Sequence, residues 1–179
     1  MIFEFIFKIH TLKTVGRILF SSLFFLSLLY SCSKERVDST DTGNNSTFNV
    51  DKSVLLQLVN QVRSAGCNCG STYMPPVGTV SWSDLLAQAA FNHSRDMSEN
   101  DYFAHNSPTG STPGDRIRAV GYNWTTYGEN IAHNYPNEQA VMNGWLGSEG
   151  HCRNIMNGNF REMGVGREGA YWTQNFGAR

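Results

Sequence analysis

The spacing of apolar positions along this 179-residue chain changes several times, and each change marks an element. Residues 51–65 carry Val54, Leu55, Leu58, Val59 and Val62 three and four apart, which is one stripe of a helix. Asp51 suits its N-cap and Gly66 its stop. Residues 67–80 are rich in Gly, Pro and Ser and read as a loop. Ser83 caps a second helix running to about Asn100, with Leu86, Ala89, Ala90, His93 and Met97 on its apolar face. His93 therefore reads as a core histidine satisfied by hydrogen bonds rather than as a ligand. Thr112-Pro113-Gly114-Asp115 opens a short helix with Ile117, Ala119 and Val120, closed by Gly121. Residues 122–127 are aromatic and loop-like. Asn137 caps a fourth helix through Trp145, with Ala140, Val141 and Trp145 inward. The runs 162–168 and 170–176, joined at Gly169, read as an antiparallel pair. Helices before and among short strands, without βαβ alternation or internal repeat, indicate an α+β domain.

The first thirty residues follow another pattern. Lys8, Lys13 and Arg17 precede an apolar run at 18–29 that is too short to span a bilayer as a stable helix. It ends in Leu29-Tyr30-Ser31-Cys32, the arrangement of a signal peptide with a small residue before the cut. A cysteine at that place resembles a bacterial lipobox, which would make Cys32 the lipidated first residue of the mature protein. The alternative is an ordinary secretory signal with an incidental cysteine. Residues 33–49 are rich in Ser, Thr, Asp and Asn and read as a flexible tether. The expected organisation is a lipoprotein signal at 1–31, a tether at 32–50 and one domain at 51–179. Acyl chains on Cys32, two or more for stable anchoring, would attach the protein to the membrane. The expected location is the bacterial envelope, at the outer membrane, with exposure on its surface as the further option. Cys32-Ser33-Lys34-Glu35 is similar to the surface-export tag of some bacterial lipoproteins.

Charge and cysteine usage narrow the partners. Residues 1–31 hold three Lys/Arg and one Asp/Glu, leaving 11 basic and 14 acidic residues of the chain's 14 and 15, a net charge of -3. No basic patch results, which argues against nucleic acid as a partner. Beyond Cys32 the cysteines are Cys67, Cys69 and Cys152, an odd number that leaves one thiol over. Cys67 and Cys69 are too close in sequence to bridge each other comfortably. Cys69–Cys152 is the candidate bridge and Cys67–Cys152 the alternative. Either would close a loop of about 85 residues and contribute roughly 3–5 kcal/mol in the chain-entropy view. It would also tie down His151, which precedes Cys152. A metal site or a nucleophilic cysteine competes with this reading, but the Cys-x-Cys spacing is not that of a paired zinc knuckle and export favours oxidation.

Candidate chemistry concentrates in three polar islands: Phe103-Ala104-His105-Asn106-Ser107-Pro108, Gly128-Glu129-Asn130-Ile131 and Trp145-Leu146-Gly147-Ser148-Glu149-Gly150-His151. Each sets a titratable side chain beside residues that fix or free the backbone. His105, Glu129 and His151 are read as meeting in one cleft. Two imidazoles and a carboxylate can bind a divalent transition metal such as zinc, with water completing the shell. They can also position a water for general-base chemistry, which makes His105, Glu129 and His151 the catalytic candidates. Glu129 can equally orient one histidine and fix its tautomer. A polar network that merely shapes the fold is the plainest alternative. No Gly-x-Ser-x-Gly elbow or His-Glu-x-x-His helix occurs, so no motif points to turnover. His133 is a further candidate for the cleft rim, but as a loop histidine it reads more simply as solvated and stands outside the core set. Trp82, Trp124, Trp145 and Trp172 are read as core aromatics, with Tyr122, Trp124 and Tyr127 as an alternative exposed lip.

Phe-x-His-x-Ser-Pro, Gly-Glu-Asn-Ile, Trp-x-x-Ser-x-Gly-His-x-x-Asn-Ile and Tyr-Trp-Thr-Gln-Asn-Phe, in that order, resemble the CAP superfamily, in particular its bacterial secreted branch. The resemblance covers about 51–179. It implies an α-β-α sandwich with a small antiparallel sheet between helices, and a cleft of two histidines and acidic partners at His105, Glu129 and His151. Where the eukaryotic pattern has a second glutamate this chain has Ser148. Glu149 lies one residue out of phase, a swing of about 100° on a helix. The family's members do not share one activity. The sequence therefore leaves three readings: a binding module for a metal and/or a small, lipid-like or envelope-derived ligand at His105, Glu129, Ser148 and His151; a hydrolase of peptide or cell-envelope bonds; and a structural or interaction module.

Overall fold

A computed structural model describes residues 47–179; the expectations for the signal peptide, Cys32 and most of the tether lie outside the described residues. Helix α1 (Lys52–Ala65) starts where the Asp51 carboxylate accepts from the N–H groups of Ser53 and Val54, and stops at Gly66 with φ of 75°. Its buried line is Leu55, Val59 and Arg63, rotated from the expected stripe, and Val54 is exposed. The reason is Arg63. Its fully buried guanidinium donates to the carbonyls of Gly78, Ile155, Asn157 and Phe160, so a charged side chain occupies a core position with its donors used.

The stretch expected as a loop after α1 instead holds an antiparallel hairpin, β1 (Cys67–Cys69) and β2 (Thr72–Met74). Gly70, at φ of 60°, makes the turn that the Gly and Ser content signalled without revealing the strands around it. After β3 (Ser81–Trp82), Ser83 caps α2 (Asp84–Glu99), as its sequence predicts. Thr112 and Asp115 form a reciprocal capping box on α3 (Pro113–Ala119). Residues 126–133, read in part as loop, are strand β4 (Thr126–His133). Helix α4 (Glu138–Gly147) runs past Trp145. It is followed directly by α5 (Glu149–Ile155), with Ser148 as the junction between the two helices. Strands β5 (Glu162–Glu168) and β6 (Tyr171–Ala178) form the predicted pair around Gly169.

The main sheet has the order β3-β5-β6-β4, antiparallel through its three long strands, with β3 as a two-residue parallel edge on β5. Alternation along β5 and β6 sorts the two faces. Met163, Val165, Trp172 and Phe176 join Leu55, Val59, Val141, Met142 and Trp145 of α1 and α4 in one core. Thr173 and Asn175 face α2 instead, Thr173 accepting from the Ser94 hydroxyl and the Asn175 amide oxygen accepting from the Ala90 N–H. Glycines allow α2 to lie directly on β5: a Cβ on Gly164 would stand 2.1 Å from the Ala87 nitrogen, and one on Gly166 2.3 Å from that of Phe91. The result is an α-β-α sandwich of α+β class with β4 at one edge. Among the described residues no helix is long and apolar enough to cross a membrane.

Candidate functional site

The site gathers at the edge strand β4. Glu129 sits in its middle, paired in register with Asn175 of β6, and its side chain is 2% exposed. A carboxylate so deeply placed needs partners. His105, on the segment between α2 and α3, donates from Nδ1 to Oε1 of Glu129 at 2.9 Å. Arg116 of α3 donates from Nη2 to Oε2 at 2.8 Å and to the His105 carbonyl, also at 2.8 Å. With its amide turned to satisfy both ends, Asn175 adds a donor to Oε2 at 3.3 Å. One arginine thus fixes the acid and the backbone of the histidine that the acid orients. Because Nδ1 carries the proton facing the carboxylate, neutral His105 keeps its Nε2 lone pair free. Its side chain is about half exposed, at 51%.

His151 arrives from α5. Asn130, the neighbour of Glu129, donates to the His151 carbonyl and to Gln174, while Asn154 donates to the Glu129 carbonyl and to the Asn130 side chain. The Gly-Glu-Asn stretch therefore has two outputs: Glu129 toward His105, and Asn130 toward the turn of helix that carries His151. Gly128 is required beside them, since a Cβ there would meet the Phe160 ring at 2.7 Å. His151 is half-buried, and its pKa is lowered, first by burial and then by repulsion from His105. His151 and Ser148 line a cavity of about 290 Å³ with Phe103, Ile131, Ala132, His133, Tyr135, Gly144 and Trp145. His105 and Glu129 lie outside this lining. Trp145, one of its walls, has a buried indole N–H with no partner.

Among the predicted residues, His105 and Glu129 are in direct contact, His151 is their neighbour, and Ser148 shares the cavity with His151. No hydrogen bond joins Ser148 to His151 among the described residues. Glu149 pairs with Arg153 and covers Gly70 of the hairpin turn. His93 is fully buried, with Nε2 at 3.0 Å from the Ala104 carbonyl, and burial lowers its pKa against the pull of the Glu129 charge. It acts as a strut beneath the segment that carries His105. Its other nitrogen faces Tyr102, whose hydroxyl donates to Asp96 and whose pKa is pushed up by burial.

Sequence reasoning missed Arg116, for which no signal existed: a lone arginine on a short helix has no period to betray it. It left out His133, which lines the cavity at the end of β4 and lies against Tyr171 at 4.3 Å and Phe103 at 5.9 Å between ring centroids. Reading 126–133 as a strand would have found it, since period two sets Glu129, Ile131 and His133 on one side. The aromatic lip is this trio. Tyr122 is fully buried, and Trp124 and Tyr127 pack edge to face above Gly114. Trp145 and Trp172 are core as predicted, while Trp82 and Trp124 are half-buried.

A bridge links Cys69 to Cys152 across a Cα–Cα distance of 5.4 Å, and Cys67 remains a free thiol. These three form the only His/Cys/Asp/Glu group among the described residues whose ligand atoms all lie within 4.8 Å of one another. While two of them share a bond, the trio cannot act as a three-thiolate metal site. His105, Glu129 and His151 do not reach that closeness.

The family model for CAP, the cysteine-rich secretory protein family, matches residues 56–176. An uncharacterized membrane protein of Bacillus subtilis strain 168, YlbC, is 41% identical over 97 residues, covering 54% of this chain and 28% of that protein. A solved extracellular protein containing an SCP domain, from Bacillus anthracis, is 35% identical with a TM-score of 0.63, over 71% of this chain and 40% of that one. An outer surface protein of Borrelia burgdorferi shares the fold at 21% identity and a TM-score of 0.60, over 71% of this chain and 91% of its own. The chain thus spans well under half the length of the two Bacillus proteins.

Proposed function

The chain belongs to the CAP family of cysteine-rich secretory proteins, and from that premise we propose that it is an exported binding module whose cavity, lined by His151 and His133, takes a small, partly apolar ligand. The observation that carries the reading is the pairing of a largely apolar cavity with imidazoles at its rim. The walls of Phe103, Ile131, Tyr135 and Trp145 suit an apolar body, and His151 and His133 suit its polar end. Export rests on the leader pattern, and lipid anchoring through Cys32 on the Leu29-Tyr30-Ser31-Cys32 sequence. Extracellular and outer-surface placement of the two structural relatives agrees with it.

A divalent cation is the second occupant this donor set suits. Both oxygens of Glu129 are already engaged, so the acid serves to orient His105 rather than to ligate. His105 Nε2, His151 and water make a weak, open site, quite unlike the closed four-ligand site of a structural zinc. Such an ion would polarise a bound carbonyl or carboxylate. Calorimetric titration with zinc tests the arrangement: binding is expected in the wild type and lost in His105→Ala and in His151→Ala. Zinc affinity unchanged in both variants removes the cation from the proposal.

The His105–Glu129 pair also favours a second reading, a hydrolase in which His105 accepts a proton from water while Glu129 holds its tautomer. It predicts turnover of peptide, ester or glycan substrates that is lost in Glu129→Gln. A silent wild type across such a panel leaves the binding module.

A further inference from the structure

Cys67 and Cys69 lie two residues apart on β1, and a strand's period of two sets both side chains on one face with exposed Asn68 between them. That face meets α5. Cys69 is bonded to Cys152, and the Cys67 sulfur lies 3.6 Å from that of Cys152 and 3.9 Å from that of Cys69. The free thiol is half-buried and, like Val62, Met74, Val77 and Leu146, packs against the buried cluster of Cys69, Cys152 and Met156. The nearby charges are otherwise engaged: Glu149 with Arg153, Arg153 also with Thr72, and Arg63 with backbone carbonyls. Burial alone raises the Cys67 pKa.

We propose that Cys152 has two interchangeable partners and that Cys67, the free thiol, is the attacking group of an internal disulfide exchange. The Cys67 thiolate attacks the Cys152 sulfur. The Cys67–Cys152 bond forms as the Cys69–Cys152 bond breaks, and Cys69 leaves as a thiolate that takes up the proton Cys67 released. One disulfide and one thiol stand on each side of the step, so no outside oxidant or reductant is needed. The sulfurs are already in contact, and Cys67 sits beside the bond rather than beyond one end of it. Side-chain rotation must therefore align the attack, while the backbone can stay in place. A direct Cys67–Cys69 bond is disfavoured by the single intervening residue. Exchange passes the covalent tie of α5 from Cys69 to Cys67, two positions along the same face of β1. The tie is made at Cys152, one residue after His151, so the exchange takes place beside the wall that carries this histidine.

Peptide mapping without reduction tests this. Wild type and Cys69→Ser are held at about pH 9, where a thiolate population exists, then acid-quenched, alkylated with N-ethylmaleimide and mapped by mass spectrometry. The wild type is expected to carry the alkyl group on Cys67 in some molecules and on Cys69 in others. Cys69→Ser is expected to close a Cys67–Cys152 bond and leave neither of those two thiols to alkylate. Cys32 apart, alkylation of Cys67 but never of Cys69 in the wild type after prolonged incubation overturns the proposal, and so does alkylation of both Cys67 and Cys152, or a dimer linked through either, in Cys69→Ser. The wild-type map is decisive even if the variant fails to fold.

Discussion

His105 is held by charge: its Nδ1 faces a carboxylate that is almost fully buried, and Arg116 clamps both that carboxylate and the His105 backbone. His151 is held by scaffold. Its side chain makes no hydrogen bond among the described residues, and its place comes from α5, the Asn130 contact to its carbonyl and the bridge at the next residue. The difference separates two ways of building one cleft. An electrostatic clamp fixes a tautomer as well as a position, but it leaves a buried charge exposed to any loss of its partner. A helix with a covalent tie fixes position alone and leaves the ring free to turn toward a ligand.

Removing the acid should break this contrast most severely. Glu129→Ala leaves Arg116 as an uncompensated, mostly buried cation and is expected to cost about 4 kcal/mol in urea unfolding. A loss below about 1 kcal/mol would show that the clamp contributes little. Cys152→Ser releases the other wall and is expected to cost about 3 kcal/mol, with the His105 wall intact. Cys69→Ser should cost much less if Cys67 takes over the bond. His151→Ala is expected to cost under about 1 kcal/mol, because its half-buried ring has no hydrogen bond to lose. An effect as large as that of Glu129→Ala would erase the distinction between the walls.

A fifth outcome concerns pH. Burial depresses the pKa values of His93 and His151 below the ordinary imidazole value of 6.5, so across the window below 6.5 the unfolded chain binds more protons than the folded one. Stability is therefore full above that window and falls as pH drops through it, until the folded-state pKa values are passed. Thermal unfolding of the wild type should show this slope, and His151→Ala should flatten it without abolishing it, since His93 remains. A slope unchanged in the variant would assign the whole effect to His93.

Much of the fold was legible because caps and periods are local. Asp51, Ser83, Thr112 and Asn137 each accept the backbone hydrogen bond that begins a helix, as their residue types predict. Strand β4 was not legible as a strand. Its face toward the site carries Glu129 where a half-buried strand would normally place an apolar residue, so alternation was masked by function. Arg63 rotated the buried line of α1 for a similar reason, because its guanidinium finds carbonyls from segments about 15 to 97 residues distant.

The sequence by itself determined the family, the helix starts, the terminal strand pair and the identity of the polar groups that converge, since these depend on neighbours within a few positions and on motifs in a fixed order. Tertiary structure alone decided that Arg116 clamps Glu129 and that Cys69 rather than Cys67 holds Cys152. Each of those depends on which distant backbones approach within a few ångströms. In the Cys-x-Cys case both candidates share one strand face, so no property of the sequence could separate them.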